Sequence, residues 1–105
     1  MKISVVIPAN NEMHAIRDVV RSCRAYCQEV IVVDDGSTDD TAQVSRTAGA
    51  KVIRNAANCG LVKSTRLGLR VASGDKWCGW YIHQYRASNH SSERGRNHSR
   101  LEIFL

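Results

Sequence analysis

The stretch that decides the fold is Val30-Ile31-Val32-Val33-Asp34-Asp35-Gly36-Ser37-Thr38-Asp39-Asp40-Thr41. Four apolar residues run directly into two carboxylates, a glycine and two hydroxyl residues, which predicts a buried strand that ends in a turn. Ligands of open α/β sheets bind at the carboxyl ends of strands, so Asp34 and Asp35 are candidates for accepting hydrogen bonds from a ligand or for holding a cation. The structural alternative is that Asp34 closes the turn and Asp39 caps the next helix.

The residues before this stretch predict a strand followed by a helix. An apolar, β-rich run covers residues 3–7, and Pro8 begins the loop after it. Asn10 or Asn11 is placed to cap a helix that runs to about residue 26. The buried stripe of that helix recurs at helical spacing and consists of Ile16, Val19, Val20 and Cys23.

The residues after it continue the alternation. Ser37 or Thr38 is placed to cap a second helix, which ends at Gly49. A strand over residues 51–54 and a helix over residues 61–72 follow, and Gly68 would let that helix lie close to the sheet. Alternating strands and helices predict an α/β fold, Rossmann-like, with three α/β/α layers and a mostly parallel sheet.

The composition changes after Asp75. Residues 77–85 are aromatic, and part of them is compatible with a strand. Residues 86–100 are almost entirely polar and cannot bury enough apolar surface to offset the entropy of ordering. We therefore expect residues 86–105 to be disordered, or ordered only by packing against something else.

The composition as a whole suits one small domain of 105 residues with a net charge of +5. The four cysteines have no metal-binding spacing and are expected to be reduced thiols. No apolar run is long enough to cross a bilayer, and the N-terminus lacks the features of a signal peptide. The expected location is the cytoplasm.

Four motifs stand in order within residues 1–75, with a strand or helix between each. They are Val5-Val6-Ile7-Pro8-Ala9-Asn10-Asn11-Glu12, Val30 to Asp39, Asn58-Cys59-Gly60, and Gly68-Leu69 through Ala72-Ser73-Gly74-Asp75. The set resembles the N-terminal half of the family 2 glycosyltransferases, which have the GT-A fold, and among them enzymes similar to dolichol-phosphate mannose synthases. The resemblance implies that residues 1–75 bind a UDP- or GDP-sugar, with residues 76–105 as a divergent basic tail.

The resemblance also implies the residues of the site. The loop after the first strand would lie along the nucleoside, and Asp34 and Asp35 would contact the base and ribose. The complete predicted set is Pro8, Ala9, Asn10, Glu12, Asp34, Asp35, Gly36, Ser37, Asn58 and Gly60. The family usually has an aromatic residue at the position of Asn10, so stacking on the base would be weaker here. Lys63 and Arg66 could approach a phosphate, but a solvated helix face explains them better.

One motif of the family is missing. The resemblance implies a strand after Gly74-Asp75 that ends in Asp-x-Asp and holds a divalent cation, Mg²⁺ or Mn²⁺. Residues 76–86 contain no acidic residue at all. We therefore predict no catalytic residue and no metal site in this chain, with a cation only in full-length relatives. The abrupt change after Asp75 is what a frameshift or premature end would produce, so we expect a truncated domain that is inactive alone.

Other functions fit parts of the sequence. A non-catalytic regulatory module would bind a nucleotide, or would use the basic end on nucleic acid. We favour the truncated glycosyltransferase and do not expect a nucleic-acid partner. The basic composition of a tail that arises from a frameshift is accidental and has no selected function. A receiver-type phosphoacceptor domain is opposed by the position of the acidic pair after the second strand. An open sheet edge predicts self-association, with residues 77–85 at the contact.

Overall fold

A computed structural model describes residues 1–84 and 97–103. The described residues form eight elements in chain order. They are β1 (Ile3–Ala9), α1 (Ile16–Arg24), β2 (Glu29–Asp35), α2 (Thr41–Ala48), β3 (Lys51–Asn55), α3 (Leu61–Val71), β4 (Lys76–Gln84) and β5 (Asn97–Ile103).

The strands form one sheet in the order β3-β2-β1-β4-β5. The first four are parallel, and β5 runs antiparallel to β4. Because β2 and β3 lie on one side of β1 and β4 lies on the other, the strand order reverses between β1 and β4. Open α/β sheets bind ligands at such a reversal, outside the carboxyl ends of the strands.

Helices cover both faces of the sheet, which confirms the predicted Rossmann-like α/β/α fold. On one face α1 and α2 pack over Val5, Ile7, Val30 and Val32. On the other face α3 packs over Val6, Ile31 and Val33. Since β2 has a strand on each side and helices on both faces, all seven of its residues are buried. This position explains why its apolar run does not alternate with polar residues.

Gly68 sets the distance between α3 and the sheet. A Cβ atom on Gly68 would lie 2.2 Å from Val6 Cγ1 and 3.2 Å from Val33 Cγ2. Any other residue there would push the helix away, so the predicted close approach at Gly68 is confirmed. The buried stripe of α1 and the helix end at Gly49, which has a φ of 106°, are confirmed as well.

The helix caps predicted at Asn10 or Asn11 and at Ser37 or Thr38 are wrong. The N-cap of α1 is Ala15 and that of α2 is Asp40, and neither makes a side-chain capping bond. Instead Asp39 Oδ1 accepts the N–H of Thr41, at 2.9 Å. Asn10, Asn11, Ser37 and Thr38 make other contacts, described below, because they bond between loops rather than within their own helix.

The end of β1 also differs from the prediction. The strand continues through Pro8 to Ala9, paired with β2. Its pairing with β4 stops at Val6. A proline is tolerated at this point because one side of β1 has no ladder partner there that would need its N–H.

The tail contributes two strands. The strand expected within residues 77–85 is β4, and Cys78, Trp80 and Ile82 pack against the core cluster that includes the buried stripe of α1. Residues 97–103 are not disordered but pair with residues 78–84, in line with the alternative that the segment is ordered by packing against something else. Backbone pairing on an open strand edge orders a segment without an apolar stripe of its own. The other residues of the predicted disordered segment, 86–96 and 104–105, lie outside the described part of the chain.

A buried carboxylate joins the amino ends of the strands. Glu29 is 5% exposed and accepts hydrogen bonds from Lys51 Nζ (2.6 Å), Ser4 Oγ (2.7 Å) and the N–H of Ser73 (2.8 Å). The hydrogen bond from Lys51, followed by the one from the Ser73 N–H, outweighs burial and lowers the pKa of Glu29 to about 2. This contact network ties β1, β2, β3 and the α3–β4 loop together, at the end of the sheet opposite the site described next.

Candidate functional site

The loops after β1 and β2 are hydrogen-bonded side by side. The N–H of Asn11 donates to Ser37 Oγ (2.8 Å), and the N–H of Thr38 donates to Asn11 Oδ1 (2.9 Å). The N–H of Glu12 donates to Thr41 Oγ1 at 2.9 Å. Asn11 adopts a left-handed conformation, with a φ of 52°, which asparagine tolerates better than most residues. These hydrogen bonds hold the β1–α1 loop in place and so fix the positions of Asn10 and Glu12 within it.

Asp34 closes the turn after β2. Its side chain is fully buried, and Oδ1 accepts the N–H of Ser37 at 3.0 Å. Oδ2 lies 3.8 Å from Arg54 Nε and has no hydrogen-bond donor among the described residues. The position of Asp34 therefore agrees with the structural alternative, in which this residue closes the turn after β2.

Asp35 joins the end of β2 to the β3–α3 loop. Oδ1 accepts the N–H of Cys59 (2.7 Å) and Asn55 Nδ2 (3.0 Å), and Oδ2 accepts the N–H of Gly60 (2.9 Å). Burial raises the pKa of this carboxyl, but the hydrogen bonds from Cys59, Asn55, Gly60 and Ser64 together outweigh burial and hold the pKa below its usual value.

Gly36 makes room for the β3–α3 loop. Its φ is +73°, and a Cβ atom there would lie 2.7 Å from the nitrogen of Asn58 and 2.8 Å from the carbonyl carbon of Ala57. Both the conformation and the space require glycine. Gly36 therefore lets the backbone of residues 57–58 lie directly against the β2–α2 turn.

These contacts border an open cleft of about 210 Å³ at the carboxyl ends of β1 and β2, beside β4 and next to the reversal of strand order between β1 and β4. Its lining consists of Pro8, Ala9, Asn10, Glu12, Asp35, Asn58, Gly60, Leu61 and Ile82. Seven of the ten predicted site residues are in this lining. The other three, Asp34, Gly36 and Ser37, lie behind it and shape the loops. Sequence reasoning missed Leu61 and Ile82.

The cleft combines a buried carboxylate with apolar walls. Glu12 is 7% exposed although it lines the cleft, and Asn10 Nδ2 donates to the carbonyl of Asp35 at 2.6 Å. Leu61 and Ile82 add aliphatic surface to the lining of the cleft. Apolar walls with a few fixed polar groups suit a flat organic ligand that carries hydroxyl or N–H donors.

The donor set does not fit a divalent cation. Within residues 1–84 and 97–103, no group of three or more His, Cys, Asp or Glu side chains is placed to hold a metal ion. The oxygens of Asp35 are hydrogen-bonded to backbone N–H groups, and β4 contains no carboxylate. Separately, no helix in the described part of the chain is long and apolar enough to cross a membrane.

Comparison with known proteins gives consistent matches. The family model for glycosyl transferase family 2 matches residues 4–82. An uncharacterized glycosyltransferase of Rickettsia typhi is 48% identical over 52 residues, which cover 50% of this chain and 18% of that protein. The undecaprenyl-phosphate 4-deoxy-4-formamido-L-arabinose transferase of Sodalis glossinidius is 40% identical over 53 residues, 45% of this chain and 16% of that protein.

A solved structure matches a larger part of the fold. Glucosyl-3-phosphoglycerate synthase from Mycobacterium tuberculosis, in complex with Mn²⁺, UDP-glucose and phosphoglyceric acid, superposes with a TM-score of 0.64 at 32% identity. The match covers 77% of this chain and 32% of that one. This chain thus spans between 16% and 32% of the length of these three proteins.

Proposed function

Because the chain belongs to glycosyl transferase family 2, we propose that its cleft binds the nucleotide of a UDP- or GDP-sugar. The observation that carries this proposal is the cleft itself, which gathers seven predicted residues at the reversal of strand order. Support comes from glucosyl-3-phosphoglycerate synthase, which has this fold and whose complex contains UDP-glucose. The undecaprenyl-phosphate transferase indicates that sugar transfer to a lipid phosphate also occurs among relatives.

In this proposal two carboxylates recognise the nucleoside. Glu12 accepts hydrogen bonds from ribose hydroxyls or from a base N–H, and the negative charge of Asp35 in the cleft lining attracts the same donors. Leu61 and Ile82 contact the base with aliphatic surface. Asn10 supplies an amide at the position where an aromatic ring would stack on the base. The base is therefore held more by hydrogen bonds at its edge than by stacking on its face.

We propose that this chain alone binds the donor without transferring the sugar. Departure of the nucleoside diphosphate needs a cation or an equivalent positive group on the phosphates. The segment 76–86 carries no carboxylate that could hold one. A divalent cation is accordingly proposed only for longer relatives, and the proposed location is the cytoplasm, supported by four cysteines that form no disulfide.

Isothermal titration calorimetry tests the binding proposal. The full chain is titrated with UDP, GDP and their sugars, and the same titration is made with Glu12→Gln. Loss of charge-assisted hydrogen bonds predicts an affinity about 10- to 100-fold lower for the variant. Asp18, on α1, is exposed, and Asp18→Asn removes the same charge outside the cleft lining. This variant is the matched control, and its affinity should be unchanged. The proposal is wrong if no nucleotide binds, or if Glu12→Gln binds as tightly as the parent.

A turnover assay tests the second part. The chain is incubated with UDP-glucose and Mg²⁺ or Mn²⁺, and free UDP is measured. We expect release at the rate of the buffer alone. Cation-dependent release that scales with protein concentration would show that the chain is active without the Asp-x-Asp carboxylates.

A further inference from the structure

The outer face of α3 carries three cations that the cleft does not use. Lys63, Arg66 and Arg70 are exposed, and at 3.6 residues per turn they lie within about 60° of one another. None of them forms an ion pair with a described residue, and α3 contains no acidic residue. They line a groove of about 310 Å³ together with Cys59 and Leu67. Positive charge is therefore concentrated and uncompensated on this face.

Aliphatic side chains flank the cations. Val62 is 65% exposed, whereas Leu67 and Leu69, at the two sides of the charged stripe, are half-buried and pack against the core beneath α3. The inner side of the helix is formed by Ser64 and Gly68, which are buried against the sheet. The outer face thus combines three cations with aliphatic surface at its margins, and it contains no aromatic or amide side chain.

The opposite side of the molecule is different. On α1 the side chain of Arg17 lies 3.8 Å from that of Asp18, and Asp40 immediately precedes α2. That side also carries the exposed Arg21, Arg24 and Arg46. The distinguishing feature of α3 is that one helix carries three exposed cations and no acidic residue, whereas α1 contains Asp18 and α2 contains a single cation.

We propose that the outer face of α3, defined as Val62, Lys63, Arg66 and Arg70, docks on a membrane surface that carries anionic lipid headgroups. The cations attract the headgroups, and the exposed side chain of Val62 contacts the acyl boundary. Single-stranded nucleic acid is bound by aromatic stacking beside cations, and base edges are read by amides as well as by cations. Since this face lacks both aromatic and amide side chains, the lipid surface fits it better. The proposal does not depend on nucleotide binding.

Vesicle co-sedimentation of the full chain tests this proposal. The vesicles are phosphatidylcholine alone, or phosphatidylcholine with phosphatidylserine at seven parts to three. Each cation near an anionic surface changes the partition coefficient about fivefold, so Lys63→Gln/Arg66→Gln/Arg70→Gln is expected to bind the anionic vesicles on the order of 100-fold more weakly. Arg17→Gln/Arg21→Gln/Arg46→Gln removes the same charge from α1 and α2 and should lose less than tenfold.

A folding control, a single variant and two competing ligands distinguish the possible outcomes. Circular dichroism checks that the variants fold, and Arg66→Gln alone, a mild exposed change, should lose about fivefold. The proposal fails if the parent chain does not prefer anionic vesicles, or if both triple variants lose binding equally. Specific displacement by inorganic diphosphate at equimolar amounts would identify a free-phosphate site instead. Tighter binding to single-stranded RNA, lost only in the α3 variant, would identify a nucleic-acid surface.

Discussion

Replacing Asp35 with asparagine should release the β3–α3 loop and weaken the whole site. The carboxylate accepts the N–H groups of Cys59 and Gly60 and the amide of Asn55 on its two oxygens. Asparagine has nearly the same shape but only one accepting atom. In the better orientation of the asparagine, its NH₂ group replaces Oδ2 and cannot accept the N–H of Gly60. The bonds from Cys59 and Asn55 remain on Oδ1, but their acceptor is now a neutral amide oxygen and they are weaker.

The magnitude follows from these three bonds. A hydrogen bond to a charged group contributes about 1.5–3 kcal/mol and a neutral one about 0.5–1.5 kcal/mol. Weakening two bonds and losing a third therefore lowers the free energy of unfolding of Asp35→Asn by about 5 kcal/mol. For a domain of about 100 residues this corresponds to a Tm lower by about 20 °C. Thermal unfolding followed by circular dichroism at pH 7 measures the difference, and Asp40→Asn, exposed before α2, is the control without change.

The pH dependence has a definite sign. The folded pKa of Asp35 lies below its ordinary value of 3.8, so the charged form stabilises the fold above that pH. This stabilisation is lost as the pH falls through the folded pKa, and the gap between the parent chain and Asp35→Asn should narrow below about pH 4. A Tm within about 2 °C of the parent at every pH, with nucleotide affinity nevertheless reduced, would show that Asp35 is a ligand contact and does not hold the loop.

Three other changes test the remaining structure. Glu29→Gln should lower the free energy of unfolding at pH 7, and since the folded pKa of about 2 lies below the ordinary 4.5, the difference should fade as acid titration passes from 4.5 toward 2. Gly36→Ala should cost about 2 kcal/mol in chemical denaturation and reduce nucleotide affinity by displacing Asn58, whereas Gly49→Ala meets only the movable side chain of Arg24 and should leave affinity unchanged. Sedimentation at high protein concentration should reveal self-association through a sheet edge, and a clean monomer would contradict that expectation.

The parts of the fold that depend on local patterns could be predicted. The apolar run of β2, the helical spacing of Ile16, Val19, Val20 and Cys23, and the missing side chain of Gly68 each act over a few residues of sequence. The α1 prediction was confirmed because burial of one helix face fixes the spacing of its apolar residues. The β2 prediction was confirmed because a strand covered on both faces is apolar throughout. The alternation of these elements then sufficed for the Rossmann-like α/β class.

The details that failed depend on tertiary contacts. Asn11 and Ser37 have the residue types of helix caps, but their hydrogen bonds run between two loops that are 26 residues apart in sequence. Ile82 lines the cleft because β4 pairs with β1. Nothing in the local sequence of residues 76–105 indicates which strand β4 pairs with, so the position of Ile82 could not be predicted. The order of residues 97–103 depends on the open edge of β4, which no pattern within that segment indicates.

The central claim is that the cleft beside β1, β2 and α3 binds a nucleotide. Amide chemical-shift mapping of the ¹⁵N-labelled full chain, titrated with UDP and with GDP, tests it most directly. We predict saturable shifts at Asn10, Glu12, Asn58 and Gly60 for at least one nucleotide, with none at Arg21 or Gln43 on the opposite helices. Absence of shifts with both nucleotides, or shifts confined to Lys63, Arg66 and Arg70, would contradict the account.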